Sequence, residues 1–244
     1  MNITVYNTPP EIADAAAYSL MTEIRKKVDL TEKFYLAVSG GSTPKILFER
    51  LSKQPFRQDI LWQFLHIFWV DERCVPPGHE ESNYGMTKKN LLDHVNIPAE
   101  NIHRMKGEAE PRQEASRYAE EIKKHIPIKL GFPSFDWILL GMGSDGHTAS
   151  LFPGKKLIMS AENICGTAVH PQSGQNRITL TDKVINNASA ISFLVTGKDK
   201  AGILTRIIKK QSGYKSFPAA AVTPVFGTLE WLVDREAYPE GNHS

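Results

Sequence analysis

Phe135-Asp136-Trp137-Ile138-Leu139-Leu140 runs directly into Gly141-Met142-Gly143-Ser144-Asp145-Gly146-His147-Thr148-Ala149-Ser150-Leu151-Phe152-Pro153-Gly154. The first part is an apolar run of strand length. Gly141, Gly143, Asp145 and Gly146 follow at once, so the backbone must turn sharply where the strand ends. His147 stands at the end of that turn, where a helix can begin. In open α/β sheets, ligands sit in the crevice at the carboxyl ends of the strands. An imidazole held there by a glycine-rich loop can act as a base near neutral pH. The plain alternative is a capping or packing histidine in an ordinary turn.

The same kind of run recurs along the chain. Phe34–Val38, His66-Ile67-Phe68-Trp69-Val70 and Ile191-Ser192-Phe193-Leu194-Val195 are largely continuous in their apolarity rather than alternating. Strands buried on both faces of a parallel sheet have this pattern. Between them lie helical periods. Ile12, Ala16, Leu20, Ile24 and Val28 recur every fourth residue, and Ala115, Tyr118, Ala119, Ile122 and Ile126 follow the i, i+3, i+4 rule. Thr43-Pro44 reads as an N-cap followed by proline at the first helical position. The alternation predicts an α/β fold: an open, mostly parallel, doubly wound sheet with helices on both faces, Rossmann-like, formed by residues 1–244 as a single domain. The stretches 76–79 and 166–175 are expected to be irregular, and the polar tail 239–244 to be frayed.

At 244 residues, 41% hydrophobic and 23% charged, the chain can bury a large core. Its 29 basic and 27 acidic residues leave a formal charge of +2. That gives no general attraction to nucleic acid or to a membrane surface, so an anionic ligand must be drawn by locally placed basic groups. Cys74 and Cys165 form no CxxC pair and read as reduced thiols. No run of about 18 apolar residues and no signal-peptide pattern is present. A soluble cytoplasmic protein is the expectation. No HExxH helix and no GxSxG elbow occurs, so neither a metal site nor a serine nucleophile is expected.

Four groups of residues can carry chemistry. Ser39-Gly40-Gly41-Ser42-Thr43-Pro44 follows a strand and opens a helix. Gly40 and Gly41 allow close backbone approach, Ser42 and Thr43 add hydroxyls, and the helix start directs N–H groups at one point, as a phosphate requires. Trp69-Val70-Asp71-Glu72-Arg73 sets two carboxylates and a guanidinium at a strand end, where Arg73 can clamp an anion or simply pair with a neighbour. Asp145 can orient His147, or turn into its own backbone as an Asx-turn. Arg177 and Lys200 complete the basic set. Lys200 opens a helix, against the dipole, which is mildly unfavourable unless an anion shares the site.

Together and in this order, these segments resemble the 6-phosphogluconolactonase family. The resemblance rests on 39–44, 69–76 with 82–85, 140–154, 177–180 and 197–201. It implies the fold shared with glucosamine-6-phosphate deaminase and ribose-5-phosphate isomerase, with a sugar-phosphate site at the strand ends. It further implies cofactor-free hydrolysis of 6-phosphogluconolactone in the oxidative pentose phosphate pathway. His147 would be the base, Asp145 its partner, and Gly40, Gly41, Ser42, Thr43, Arg73, Arg177 and Lys200 the substrate-binding set. The deaminase pattern Asp-Gly-His-Ile-Ala-Phe-Asn-Glu-Pro reads here as Asp145-Gly146-His147-Thr148-Ala149-Ser150-Leu151-Phe152-Pro153. Phe152 thus replaces the carboxylate of the ring-opening relatives, and Arg73 stands where they carry Tyr. The alternatives are an isomerase or deaminase on this fold, and a sugar-phosphate sensor without catalysis.

Overall fold

The continuous apolar runs become the middle of one parallel sheet. The computed structural model describes residues 2–156, 158–159 and 164–238. Numbered along the chain, the strands of this sheet are β1 (Asn2–Tyr6), β2 (Phe34–Val38), β3 (Leu65–Trp69), β4 (Ile102–His103), β5 (Trp137–Leu140), β6 (Ala190–Val195) and β7 (Thr228–Asp234). Their order is β1-β7-β6-β5-β2-β3-β4, and every neighbouring pair is parallel. All residues of β3 and β5 are buried, which is why their sequences show no alternation.

Helices cover both faces. The longer ones are α1 (Pro9–Asp29), α2 (Ser42–Leu51), α3 (Asn83–Asn90), α4 (Pro111–His125) and α5 (Ala201–Ile208). On one face Ile12, Ala16, Leu20 and Ile24 of α1 and Leu47, Phe48 and Leu51 of α2 pack with Leu36, Val38, Ile67, Trp69 and Leu139. On the other, Ala115, Tyr118, Ala119 and Ile122 of α4 and Leu204 and Ile207 of α5 pack with Ala37, Phe68, Ile138, Leu140 and Phe193. Successive strand residues therefore feed opposite cores, as the period of two demands.

A smaller antiparallel sheet sits beside the first, built from Asp71–Arg73, Asn176–Leu180, Cys165–Val169 and Ile158–Met159. The chain passes into it at Val70, whose N–H still donates to Val38 O while its carbonyl accepts from Leu180 N. Arg73 thus lies on a strand of this second sheet, not at the end of the central strand. The stretch 166–175 is corrected in the same way. Its residues Gly166 to Val169 pair with Thr179 to Asn176, and the irregular part is the turn from His170 to Gln175.

Two local readings also change. Helix α2 begins at Ser42, not Pro44, because Gly41 adopts φ +109°, a turn open to glycine. The Thr43 side chain makes no cap; its hydroxyl bonds Thr196 Oγ1 at 2.7 Å. No helix begins at His147, and the next described residues form a bridge and turns. The loop closes on itself, with Gly143 N–H donating to His147 O, and the chain then turns at Ala149, φ +48°, towards the second sheet. The 76–79 segment is a turn, and the tail 239–244 lies outside the described residues.

Candidate active site

The strand ends converge on a cavity of about 350 Å³. Ser39 to Pro44 enter it after β2, Gly141 to Gly143 and His147 after β5, and Thr196, Asp199 and Lys200 after β6. The second sheet contributes Arg73, Arg177 and, beyond its strand end, His170. Gly40, Gly41, Ser42, Thr43, Arg73, Arg177, Lys200 and His147 all line this one space. Asp145 does not line it but holds His147 from behind.

The 40–43 loop is shaped for backbone contact. A Cβ on Gly40 would fall 1.8 Å from Asn83 Oδ1. The Asn83 amide is itself fixed, donating to Asp71 O at 2.9 Å. The Thr43–Thr196 hydroxyl pair ties this loop to the one after β6. The first turn of α2, Ser42 to Pro44, therefore borders the cavity at the positive end of the helix dipole.

The second sheet adds an unusual pair to the lining. Arg73 and Arg177 are direct cross-strand partners. Like charges facing across an antiparallel ladder destabilise it unless something compensates. The Nε of each guanidinium is buried without a hydrogen-bond partner. Burial, and then the neighbouring Arg73 charge, push the Arg177 pKa down. A bound dianion would relieve both costs. Lys200, with its side chain 22% exposed, lies in close contact with Asp199 and can turn to the same ligand.

The Asp145–His147 pair is compact. Asp145 Oδ1 accepts from the His147 backbone N–H at 3.0 Å and lies 2.5 Å from His147 Nδ1. Both roles considered for Asp145 are thus filled by one oxygen. Burial works to raise the Asp145 pKa, but the His147 N–H and imidazole outweigh it and hold the carboxyl below its usual range. Asp145 is therefore ionised and Nδ1 is the donor to it, so that in the neutral imidazole the lone pair is on Nε2. Gly143 makes the close packing possible: a Cβ there would lie 2.2 Å from His147 Nδ1.

Phe152 is 4% exposed and forms the apolar wall. Its ring centroid lies 5.2 Å from that of His147 and 5.1 Å from that of His170. Sequence reasoning missed His170 because it sat in a stretch read as irregular. Its Nδ1 accepts from Gln172 N at 3.3 Å and Ser173 N at 3.1 Å, so Nε2 carries the proton. Burial, then the charges of Arg177 and His147, push its pKa below the ordinary value. Asn83, Asp71 and Thr196 were missed as lining residues too. Of the adjacent carboxylates, Glu72 is a clamp. It accepts from Arg73 N, Asn83 N, Tyr84 N and Ser82 Oγ and so fastens the start of α3 to the strand.

Known proteins are similar to this chain in sequence and in fold. Residues 7–231 match the sequence model of the family described as glucosamine-6-phosphate isomerases/6-phosphogluconolactonase. The chain is 48% identical to the 6-phosphogluconolactonase of Haemophilus influenzae, over 85% of this chain and 88% of that protein. Its structure resembles the crystal structure of a devB protein with a TM-score of 0.91 and 42% identity, covering 97% of each chain. It also resembles the 6-phosphogluconolactonase of Thermotoga maritima with a TM-score of 0.79 and 27% identity, covering 96% of this chain and 99% of that one.

Proposed function

This chain belongs to the family of glucosamine-6-phosphate isomerases and 6-phosphogluconolactonases, and we propose that His147 and Asp145 carry out its hydrolysis of 6-phosphogluconolactone to 6-phosphogluconate. The lactonase activity itself follows the relatives that bear that name at high identity over most of the chain. The step belongs to the oxidative pentose phosphate pathway.

The observation that carries the mechanism is the 2.5 Å contact between His147 Nδ1 and Asp145 Oδ1. It ties Nδ1 to the carboxylate and leaves Nε2, which carries the lone pair in the neutral imidazole, as the other nitrogen of a residue that lines the cavity. Nε2 takes a proton from water as the water oxygen attacks the ring carbonyl. The carbonyl oxygen gains the charge, and preorganised donors stabilise it. As the tetrahedral intermediate collapses, His147 returns the proton to the departing ring oxygen. Asp145 keeps the imidazole oriented and favours its transient positive charge. Arg73, Arg177, Lys200 and the 40–43 loop hold the phosphate and so fix the carbonyl. His170 supplies a neutral N–H donor from the wall.

Phe152 supports hydrolysis over ring opening with isomerisation, since no carboxylate stands at that position. Because the cavity draws on residues from Ser39 to Lys200, we read the whole chain as one functional unit. A reducing, cytoplasmic setting is supported by Cys74 and Cys165, neither of which is in a disulfide. Among the described residues no helix is long and apolar enough to cross a membrane. The partner is a phosphorylated sugar lactone, and the balanced charge argues against nucleic acid.

His147→Ala tests the assignment. Turnover of the lactone should fall by about 10²–10⁴-fold, while 6-phosphogluconate still binds and the fold is kept. Turnover within a few-fold of the parent would remove His147 from the mechanism.

A further inference from the structure

Away from the cavity, three imidazoles meet on the α4 side of the sheet. His66 is on β3, His103 ends β4 and His125 ends α4. One ring nitrogen of each lies within 4.8 Å of the others. His66 and His103 are 2% and 4% exposed, whereas the His125 side chain is 20% exposed and gives access from solvent. None of the three lines the active-site cavity.

Glu121 organises the group from α4. Its Oε1 lies 2.7 Å from His103 Nδ1 and 3.2 Å from His125 Nε2. His103 Nδ1–H donates to that carboxylate, so His103 Nε2 keeps its lone pair and faces His66 Nδ1 at 3.0 Å. A histidine held through its second nitrogen by a carboxylate has the orientation and tautomer that metal ligation uses. With Zn–N bonds of about 2.0–2.1 Å, two nitrogens of a tetrahedron stand roughly 3.4 Å apart, near the separation of the His66–His103 pair. His125, at a helix end and partly exposed, can swing in to close the remaining gap. Without a metal, His66 Nδ1–H donates to His103 Nε2, and this hydrogen bond is the competing account. His66 Nε2 is buried without a hydrogen-bond partner in both cases and does not choose between them.

We propose that His66, His103 and His125 form a binding site for one divalent transition-metal ion of the zinc class, with Glu121 bracing two of the rings. The ion would pin the edge strand β4 and the end of α4 to β3. It is a structural site, separate from lactone chemistry.

The test uses the untagged full-length protein, stripped with a chelator and titrated with Zn²⁺ by calorimetry and with Co²⁺ by visible absorption. One equivalent should bind and raise the melting temperature. Glu121→Gln should weaken binding by about 10–100-fold, and His125→Ala by at least as much, with lactone turnover unchanged in His125→Ala. His147→Ala should bind the metal as the parent does. Absence of stoichiometric binding would overturn the proposal. So would binding lost in His147→Ala but kept in His125→Ala, which would assign the metal to the active-site histidines. Should the variants fail to fold, histidine ring NMR of the parent decides. Zn²⁺ must shift the resonances of His66, His103 and His125 and leave His147 and His170 in place; the reverse pattern contradicts the site.

Discussion

A carboxylate two residues before a histidine can serve its own backbone or the imidazole, and Asp145 serves both. Its folded pKa is held below the ordinary aspartate value, with burial opposing and the His147 N–H and imidazole prevailing. The stabilisation it gives is therefore fully present above the unfolded value of about 3.9 and is lost as pH falls through the lower folded value. Asp145→Asn should thus melt below the parent at neutral pH, and the two melting curves should converge in acid. A gap that persists unchanged at low pH would mean that the charge of Asp145 is not what matters. Lys200 acts differently. A phosphate contact is similar in ground and transition states, so Lys200→Ala should raise KM and leave kcat nearly unchanged. A charge-assisted contact is worth about 1.5–3 kcal/mol, which is a KM increase of roughly 10–150-fold; equal affinity of the variant for a sugar phosphate would make Lys200 a surface residue. These side chains were legible in sequence because their chemistry is unusual where it occurs: a lysine at a helix start, an arginine at a strand end, a histidine among glycines. His170 carried no such context, and only the fold brings it against Phe152.

At the level of elements, glycines set the geometry that the reactive groups use. Gly143 does no chemistry, yet a Cβ there would meet the His147 ring at 2.2 Å. Gly143→Ala should displace the imidazole and cost up to about 10²-fold in kcat, the scale expected for a misplacement near 1 Å. The melting temperature should change little beside this loss, and an unimpaired kcat would show that the loop yields freely. Gly41 has open space around its missing Cβ but a φ of +109°, so Gly41→Ala strains backbone rather than packing. The central strands were legible because burial on both faces gives an unbroken apolar run. The second sheet was not. Asp71–Arg73 and Asn176–Leu180 are short, mixed in polarity and paired across about a hundred residues of chain, so no local pattern announces them. The start of α2 was misplaced for a related reason: Thr-Pro resembles a cap locally, whereas Gly41 makes the turn and Thr43 answers to Thr196.

Across the whole molecule, the fold gathers His147, the basic side chains of Arg73, Arg177 and Lys200, and the ring of Phe152 from distant parts of the chain into one cavity. Lactone hydrolysis needs the base, a partner for the developing oxyanion and a hold on the phosphate. Ring opening with isomerisation needs a further acid–base group, and in the function proposed above Phe152 stands in its place. The most direct measurement is therefore the disappearance of fresh 6-phosphogluconolactone, generated in place by glucose-6-phosphate dehydrogenase, with spontaneous hydrolysis subtracted. The parent protein should accelerate it far above that background and leave glucosamine-6-phosphate and ribose-5-phosphate unchanged. No acceleration, or turnover of glucosamine-6-phosphate instead, would contradict the account.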